Sequence, residues 1–252
     1  MWSSRLLERL LLTDEYLLLR LEAPGGLDFR PGMFVNLQLP GDRFSLPRPF
    51  SVMSATDGSL QLLVKVVGRE TRRFRDCPAD SVFSLAGPLG TPFPVPAGAL
   101  LLVGGGVGLA PLLFLAQQYR DRVTLLAGFR TAAEYESLAA VLPPLSQALL
   151  ATDDGSAGSP GLVTELLEQH LAAGGCDYAA AMVCGPEPMM YRVAQLLRSL
   201  PTWVSLENYM ACGYGVCMGC VVAMSDRNLS RACCEGPVFR SDLLQGYGSD
   251  NG

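Results

Sequence analysis

Three cysteines crowd into one nine-residue segment, CGYGVCMGC, at positions 212, 217 and 220 of a 252-residue chain that has eight cysteines. A later segment, RACCEGPVF, adds Cys233 and completes the pattern C-x4-C-x2-C-x12-C. The spacing C-x4-C-x2-C with a distant fourth cysteine is typical of [2Fe–2S] clusters. The intervening glycines fit this chemistry, because a loop around a small anionic cluster must turn its backbone amides inward. We therefore predict a [2Fe–2S] cluster on Cys212, Cys217, Cys220 and Cys233.

A structural zinc ion is the main alternative for these thiols. Zinc sites are usually built from two short pairs of ligands. Here the downstream half offers only the adjacent Cys233 and Cys234, which cannot easily bind one tetrahedral ion together. The spacing favours the iron–sulfur cluster, and it leaves open which of the two adjacent cysteines is the fourth ligand.

The composition is that of an ordinary soluble protein. The chain is 49% hydrophobic and 17% charged, with a net charge of -5. It has no basic block that could follow a phosphate backbone, so we expect no nucleic-acid partner. The N-terminal segment is interrupted by Arg5, Glu8 and Arg9 and lacks a small-residue cleavage site, which argues against a secretory signal. We expect a cytoplasmic protein whose cysteines serve as metal ligands or redox groups rather than disulfides.

Residues 99–116, ALLLVGGGVGLAPLLFLA, are uncharged and long enough to cross a membrane. Glycines and Pro111 interrupt them, with a strand-like run before and helical spacing after. This pattern fits a buried strand, a tight loop and a buried helix better than one continuous helix. We therefore expect no membrane span.

From about residue 14 to residue 93 the hydrophobic pattern has the period of β-strands. In GMFVNLQLP, Val35, Leu37 and Leu39 alternate with the residues between them, and SLQLLVKVV at 59–67 repeats the alternation. Turn signals at PGG, LPGD and TDGS separate these short runs. Several short strands at this spacing predict an antiparallel barrel or sandwich.

From residue 99 to about residue 205, strand-like runs alternate with helical patterns. Such alternation predicts a doubly wound α/β domain with a parallel sheet. The last 45 or so residues contain too little apolar sequence for a core of their own. The predicted organisation is a barrel domain at 1–97, an α/β domain at 98–205 and a small cluster-binding module at 206–252.

Three loops of the α/β segment follow predicted strands, where nucleotides bind in such sheets. GGGVGLAP at 104–111 would present backbone amides and a helix N-terminus to a pyrophosphate. It departs from the dinucleotide fingerprint, because Pro111 replaces the third glycine and the next strand ends in AGFR without an acid. A tight turn without a ligand is the alternative for this loop alone, but TDDGS at 152–156 and CGPEPMM at 184–190 fall at equivalent positions. The predicted dinucleotide-site residues are Gly104, Gly105, Gly106, Gly108, Pro111, Asp153, Asp154, Cys184, Gly185, Pro186 and Glu187.

Two segments of the predicted barrel offer a cation, a hydroxyl and turn amides together. They are RPFS at 48–51 and KVVGRET at 65–71. On residue chemistry alone, an ion-paired surface arginine and an ordinary turn explain these segments equally well.

The order RPFS, VGRET, GPLGTPF, GGGVGLAP, TDDGS, CGPEPMM and CCEGPVF resembles, over nearly the whole chain, the electron-transfer subunits of two-subunit, NAD-linked dihydroorotate dehydrogenases. These belong to the ferredoxin–NADP reductase superfamily, which shares every motif except the C-terminal cluster module. The resemblance implies FAD across the barrel, nicotinamide dinucleotide on the 104–111 loop and the 184–187 turn, and Cys233 as the fourth cluster ligand. The FAD-binding residues that it implies are Arg48, Pro49, Phe50, Ser51, Leu63, Val64, Lys65, Gly68, Glu70 and Thr71.

Two positions depart from the family pattern. Cys234 stands where the family usually has no cysteine, which makes the fourth cluster ligand ambiguous, and the register with GPVF favours Cys233. Glu70 replaces a glycine of the family pattern, and an anion beside a flavin diphosphate costs Coulomb energy unless it points to solvent. The second predicted parallel strand ends in Arg130, which by the general rule could receive a 2′-phosphate. The resemblance nevertheless points to NAD, and NAD is the coenzyme that we expect.

Electron counting gives the mechanism that this resemblance implies. Nicotinamide exchanges a hydride, an iron–sulfur cluster passes one electron at a time, and a flavin can do both. Electrons from a partner's reduced flavin would cross the cluster singly, collect on FAD and leave as hydride to NAD⁺. Lys65 and Arg48 would stabilise the negative charge, Cys184 would lie near the nicotinamide, and no catalytic acid–base residue is needed.

No segment resembles a pyrimidine pocket, so the oxidation of dihydroorotate is assigned to a partner. The resemblance implies an FMN-containing catalytic subunit, two copies of which would join two copies of this chain in a heterotetramer for pyrimidine biosynthesis. The alternative keeps the cofactors and changes the partner, as in an NAD(P)H-linked reductase subunit of sulfhydrogenase or ferredoxin-linked type. A nucleotide-binding module with structural zinc is the non-enzymatic alternative.

Overall fold

The computed structural model describes residues 1–41, 46–142, 147–175 and 177–247. Its N-terminal part is a closed antiparallel barrel with the strand order β1-β2-β5-β4-β3-β6. The strands are β1 (Trp2–Leu11), β2 (Tyr16–Glu22), β3 (Phe34–Gln38), β4 (Arg48–Thr56), β5 (Ser59–Lys65) and β6 (Val82–Leu89). The sequence pattern begins only at about residue 14 and misses β1, because Leu7, Leu10 and Leu11 of this strand face solvent and blur its alternation.

The interior of the barrel is filled by alternate residues of its strands, as the period of a β-strand requires. Those with no measurable exposure include Leu17, Leu19, Leu21, Val35, Leu37, Leu60, Leu62 and Val64. One helix, α1 (Arg69–Asp76), packs on this core through Phe74, whose ring lies edge-on to Phe83 with centroids 5.4 Å apart. The alternative of an ordinary turn at 65–71 does not describe the end of this segment, since the helix begins at Arg69.

Strand β3 is buried on both faces. Val35 and Leu37 point into the barrel core, whereas Phe34 belongs to the core of the second domain. Asn36, on the same face as Phe34, is only 3% exposed. The sequence alternation at this strand therefore separates two interiors rather than an interior from solvent.

The second part is a seven-stranded sheet with the order β10-β9-β8-β7-β11-β12-β15, in which all neighbours are parallel except β12 and β15. Its strands are β7 (Leu100–Gly105), β8 (Val123–Phe129), β9 (Gln147–Thr152), β10 (Ser159–Pro160), β11 (Ala180–Cys184), β12 (Thr202–Ser205) and β15 (Val238–Arg240). The helices are α2 (Leu109–Gln118), α3 (Ala132–Ala139), α4 (Val163–Ala172) and α5 (Glu187–Leu196). The predicted α/β fold class is confirmed.

The uncharged segment 99–116 divides as its glycines predict. It consists of β7, a 3-10 turn at Gly106–Gly108 and the buried helix α2. No helix in the described part of the chain is long and apolar enough to cross a membrane.

The cysteine-rich segment does not form a separate layer. It contains the hairpin β13 (Val221–Ala223) and β14 (Leu229–Arg231), and it then returns to the sheet as β15. The Thr91 amide at the end of the barrel donates to the Gly236 carbonyl at 2.6 Å. The segment is thus anchored to both domains, and the limits at residues 97 and 205 stay predictions.

Candidate cofactor sites

A cavity of about 670 Å³ lies between the barrel and the α/β domain, within the size range of cofactor sites. The start of β4, the end of β5 and the first turn of α1 form its barrel side. The predicted residues in its wall are Arg48, Pro49, Phe50, Ser51, Leu63, Lys65, Gly68, Glu70, Thr71, Gly108, Pro111 and Cys184. Val64 is not among them, because it is the alternate residue of β5 and points into the barrel core.

Glu70 is buried in this wall and does not point to solvent. Its carboxylate instead forms an ion pair with Arg73 one helical turn away, with 2.9 Å between Oε2 and Nη1. Arg73 also donates to the carbonyls of Leu39 and Pro40 at 3.3 and 3.2 Å, which holds the guanidinium in place. The anion that departs from the family pattern is therefore neutralised within the protein. The N-terminus of α1, which favours anions, is left facing the cavity.

A second cavity of about 470 Å³ lies over the carboxyl ends of the parallel strands. The predicted residues in its wall are Gly105, Gly106, Gly108, Asp153, Gly185 and Pro186. Gly108 packs so closely on the 184–185 turn that an added Cβ would lie 2.6 Å from the Cys184 carbonyl oxygen. Its lack of a side chain is what lets these two loops meet.

Three predicted dinucleotide residues line neither cavity. Gly104 lies within β7 and makes room for Leu109, since a Cβ there would be 2.5 Å from the leucine Cδ2. Asp154 points to solvent, where its carboxylate accepts from the Ser156 amide at 3.0 Å. Glu187 begins α5 and is exposed.

The two cavities share a wall. Lys65, Val107, Gly108 and Glu207 line both of them. Ligands that fill the two cavities would therefore meet at this wall, beside one lysine and one glutamate. Cys184 lies in the wall of the larger cavity. Burial and the charge of Glu207 raise the pKa of its thiol to about 12, although a hydrogen bond with Ser205 acts in the opposite direction. It is a neutral thiol at physiological pH.

A buried polar network lies beside the shared wall, and the sequence patterns did not predict it. The Tyr16 hydroxyl on β2 donates to Glu134 Oε1 on α3, and the Arg130 amide donates to Glu134 Oε2 at 2.8 Å. Lys65 Nζ lies 3.9 Å from the same carboxylate. Burial opposes ionisation of Glu134, but these hydrogen bonds and the charges of Arg130 and Lys65 outweigh it and lower its pKa.

Only part of this network could have been found in the sequence. The segment TAAE at 131–134 matches the signature of a helix start, in which Glu134 occupies the third helical position. That signature predicts the helix but not the contact of its carboxylate with a tyrosine 118 residues earlier.

The cysteine loop directs backbone amides at sulfur. Cys212 Sγ accepts from the amides of Tyr214 at 3.4 Å and Cys217 at 3.5 Å, and backbone hydrogen bonds lower the pKa of this thiol to about 6. The Gly215 amide donates to Cys233 Sγ at 3.2 Å. Both Gly213 and Gly215 have a φ of +75°, which only glycine adopts without strain. The loop is thus built to hold anionic sulfur.

The four predicted cluster ligands lie as two pairs. The Cys212 side chain contacts Cys217, and the Cys233 side chain contacts Cys220. Within the described ranges, no three histidine, cysteine or carboxylate side chains are gathered as a site for a metal ion. In a [2Fe–2S] cluster each iron takes two of the protein ligands, and two pairs of thiols match this requirement.

The choice between the adjacent cysteines also has a structural basis. Cys233 is 2% exposed and contacts Cys220. Cys234 is exposed, and its sulfur lies 3.7 Å from that of Cys233. The buried position inside the loop supports Cys233 as the fourth ligand.

The cysteine loop reaches the larger cavity from two sides. Met210, two residues before Cys212, and Pro237, four residues after Cys233, both line that cavity. Asn36 of β3 donates to the Cys212 carbonyl at 3.4 Å and so ties the loop to the barrel. The predicted cluster position is therefore connected to the larger cavity by short stretches of chain.

Comparisons with known families agree with this arrangement. The family described as the iron-sulfur cluster binding domain of dihydroorotate dehydrogenase B matches residues 207–245. The family described as the oxidoreductase FAD-binding domain matches residues 6–93. The barrel is thus an FAD-binding domain, and the cysteine loop lies in an iron–sulfur cluster binding domain.

One solved structure similar to this chain is that of an NADH-dependent reduced ferredoxin-NADP oxidoreductase, reported for flavin-based electron bifurcation. It has a TM-score of 0.83 and 27% identity, and the match covers 97% of this chain and 90% of that chain. A ferredoxin NADP+ reductase from Neisseria gonorrhoeae with bound FAD and NADP shares the fold, with a TM-score of 0.62 and 20% identity over 79% of this chain and 91% of that chain.

Curated relatives match over most of the sequence. The dihydroorotate dehydrogenase B (NAD(+)) electron transfer subunit of Clostridium acetobutylicum is 33% identical over 89% of this chain and 90% of its own length. The subunit of the same name from Desulforamulus reducens is 36% identical over 84% of this chain and 85% of its own length. With its FAD-binding barrel, its α/β domain and its paired cluster cysteines, the chain belongs to the family of dihydroorotate dehydrogenase B electron transfer subunits.

Proposed function

We propose that this chain carries electrons from a dihydroorotate-oxidising catalytic subunit to NAD⁺ in pyrimidine biosynthesis. The observation that carries the proposal is the continuity of the three sites. The two cavities share a wall, and the cluster segment supplies Met210 and Pro237 to the larger cavity. Bound FAD exchanges electrons in pairs with nicotinamide and singly with an iron–sulfur cluster, and this is the chemistry that such an arrangement needs.

The residues of the chain position and insulate these exchanges. Lys65 places a positive charge at the shared wall, where negative charge increases on reduction. Leu63, Phe50 and Pro111 contribute apolar surface to the wall of the larger cavity. Cys184 stays protonated in the wall of the larger cavity and adds no charge there. No proton-transferring residue is assigned, because hydride transfer to NAD⁺ needs no general base.

The cluster loop also offers a surface on which a partner could dock. Tyr209, Tyr214, Val216, Met218 and Leu229 are all at least half exposed, and we call them the cluster patch. Exposed apolar groups clustered in this way mark interaction sites. The partner proposed for this patch is an FMN-containing catalytic subunit, with two copies of each chain in the complex.

The test uses holoprotein purified without oxygen, with flavin, iron and acid-labile sulfide measured per chain. Mixed with the catalytic subunit, it should form NADH from NAD⁺ when dihydroorotate is added. Val216→Asp should abolish NADH formation and the association with the catalytic subunit, since it introduces a charge into the cluster patch. The variant should keep its iron and sulfide. Val82→Asp, the same change at an exposed site at the start of β6, should alter neither NADH formation nor the association.

A second candidate function keeps the cofactors and changes the electron donor. It is favoured by the similarity to the NADH-dependent reduced ferredoxin-NADP oxidoreductase, which covers 97% of this chain. If the holoprotein reduces NAD⁺ with reduced ferredoxin or with hydrogen but forms no NADH with dihydroorotate and the catalytic subunit, the first proposal is wrong and this candidate replaces it.

A further inference from the structure

The end of β8 carries a cation where NAD-binding sheets usually carry an acid. In such sheets an acidic residue near the end of the second strand binds the ribose 2′-hydroxyl of NAD, whereas an arginine there accommodates the 2′-phosphate of NADP. Arg130 directly follows β8 and lines the smaller cavity. By residue type alone, this position would favour NADP.

The guanidinium of Arg130 is already engaged by two carboxylates. Its Nη2 lies 2.9 Å from Glu15 Oε2, and its Nε lies 3.4 Å from Glu134 Oε2. Glu134 is held by Tyr16 and by the Arg130 amide, so its carboxylate cannot turn away. Arg130 is thus neutralised from its own domain by Glu134 and from the barrel by Glu15.

Glu15 is fixed in this position by its own backbone. It lies in the turn between β1 and β2, and its carbonyl accepts from the Val66 amide at 2.7 Å. Its amide contacts Thr13 Oγ1 at 3.3 Å. The turn therefore places the Glu15 side chain beside Arg130 across the domain boundary, where both side chains are more than half exposed.

The surrounding charges also disfavour a phosphate. Asp153 lies in the wall of the same cavity, where its amide donates to the Phe129 carbonyl and its carboxylate has no hydrogen bond or ion pair with a described residue, so the carboxylate can accept from a ribose hydroxyl. Arg192, another cation in this wall, is held by Glu168 with 2.6 Å between Nη2 and Oε1. A dianionic 2′-phosphate at the end of β8 would meet the carboxylates of Glu15, Glu134 and Asp153, whereas the nearby cations Arg130 and Lys65 are both already paired with Glu134.

We propose that Glu15 of the barrel is a coenzyme-specificity residue. Its ion pair with Arg130 occupies the cation at the end of β8 that would otherwise bind a 2′-phosphate. Glu15 acts through Arg130 and is a positioning residue. The inference rests on the proposed function only in taking the smaller cavity as the dinucleotide site.

Equilibrium binding to flavin-loaded holoprotein tests this inference without any turnover. The probes are ADP and adenosine 2′,5′-bisphosphate, measured by isothermal titration calorimetry at low ionic strength. Glu15→Gln should tighten binding of the bisphosphate about five- to tenfold, because it releases an arginine from a surface ion pair and removes one repelling charge. Affinity for ADP should change less than about twofold. The gain should shrink as salt is raised.

Two further variants separate a specific effect from a general change of charge. The double variant E15Q/R130Q should return the bisphosphate-to-ADP ratio to that of the wild type, because the gain acts through Arg130. Glu8→Gln removes the same charge from another exposed ion pair of the barrel and releases Arg20, which lines neither cavity, so the ratio should not change.

The outcomes distinguish failure of this inference from failure of the proposed function. If ADP binds but Glu15→Gln leaves the ratio unchanged, or if Glu8→Gln raises it equally, Glu15 does not set specificity. If the holoprotein binds neither ADP nor NADH, the smaller cavity is not a dinucleotide site and the proposed function fails with it.

Discussion

Replacing Tyr16 by phenylalanine would remove one buried hydrogen bond between the barrel and the α/β domain. The Tyr16 residue is 1% exposed, and its hydroxyl donates to Glu134 Oε1. Burial and the neighbouring carboxylate raise the pKa of this hydroxyl, so it remains a donor at any working pH. The ring keeps its packing in the phenylalanine variant, so the substitution isolates the hydrogen bond.

The size of the effect follows from the charge of the acceptor. A hydrogen bond to an ionised group contributes about 1.5–3 kcal/mol to stability. Glu134 keeps the Arg130 amide and Lys65 in the variant, which limits the loss to this range. For a chain of this size, 1 kcal/mol shifts the melting temperature by about 2–4 °C, so Tyr16→Phe should lower it by about 3–12 °C.

The assay is thermal unfolding of holoprotein prepared without oxygen, at a fixed excess of FAD, because bound cofactor shifts the apparent stability. Tyr135→Phe is the matched control. Tyr135 packs against Phe129 with ring centroids 5.6 Å apart, and its hydroxyl has no hydrogen bond with the residues that the structure describes. The control should change the stability by less than about 0.5 kcal/mol.

The same network predicts the pH dependence of the difference. Because the pKa of Glu134 is lowered in the folded state from its usual value of 4.5, its ionised form contributes stability above that value. This contribution is lost as the pH falls through the lower, folded-state pKa. The difference in melting temperature between wild type and Tyr16→Phe should be largest at neutral pH and should decrease in acid. Equal melting temperatures for Tyr16→Phe and Tyr135→Phe would refute the reasoning, as would a gap that widens in acid.

Three other predictions follow from the cofactor sites. Cys233→Ser should lose most of its iron and sulfide, whereas Cys234→Ser should keep them, because only the first thiol lies inside the loop against another ligand. Gly108→Ala should cost about 1–3 kcal/mol through overpacking and should weaken NADH binding, because its methyl group meets backbone atoms of the neighbouring loop. If the larger cavity holds FAD, as proposed, Arg73→Ala should weaken FAD binding about tenfold, since it removes the guanidinium that neutralises Glu70 in the wall of that cavity.

Each of these predictions has a control and a contrary outcome. If Cys233→Ser keeps as much iron as Cys234→Ser, Cys234 can replace Cys233 as a cluster ligand. Gly68→Ala, whose added Cβ meets no atom within 4 Å, should leave NADH affinity unchanged, and a similar loss in both glycine variants would exclude the steric reason. Adding Glu70→Gln to Arg73→Ala should restore FAD affinity, and failure to do so would show that Arg73 acts through the carbonyls of Leu39 and Pro40 instead.

Features that depend on neighbouring residues could be predicted from the sequence. The spacing of the cysteines predicted the cluster loop, and the glycines of that loop adopt the positive φ angles that inward-facing amides require. The four strand–helix units and the division of segment 99–116 followed from hydrophobic periodicity alone. Strand β1 was missed, because its exposed leucines carry no inside–outside pattern.

Features that depend on distant residues appeared only in the tertiary structure. The sequence marked Glu70 as a misplaced anion, whereas the fold neutralises it with Arg73 and anchors that arginine on a loop more than thirty residues earlier. It marked Arg130 as a phosphate-binding candidate, whereas the fold brings Glu15 to it from the barrel. Periodicity and turn chemistry reflect the local cost of backbone conformations and of burying side chains, so a short segment determines them. The charge around a site is a sum over groups that only the folded chain brings within a few ångströms, and no local pattern contains that sum.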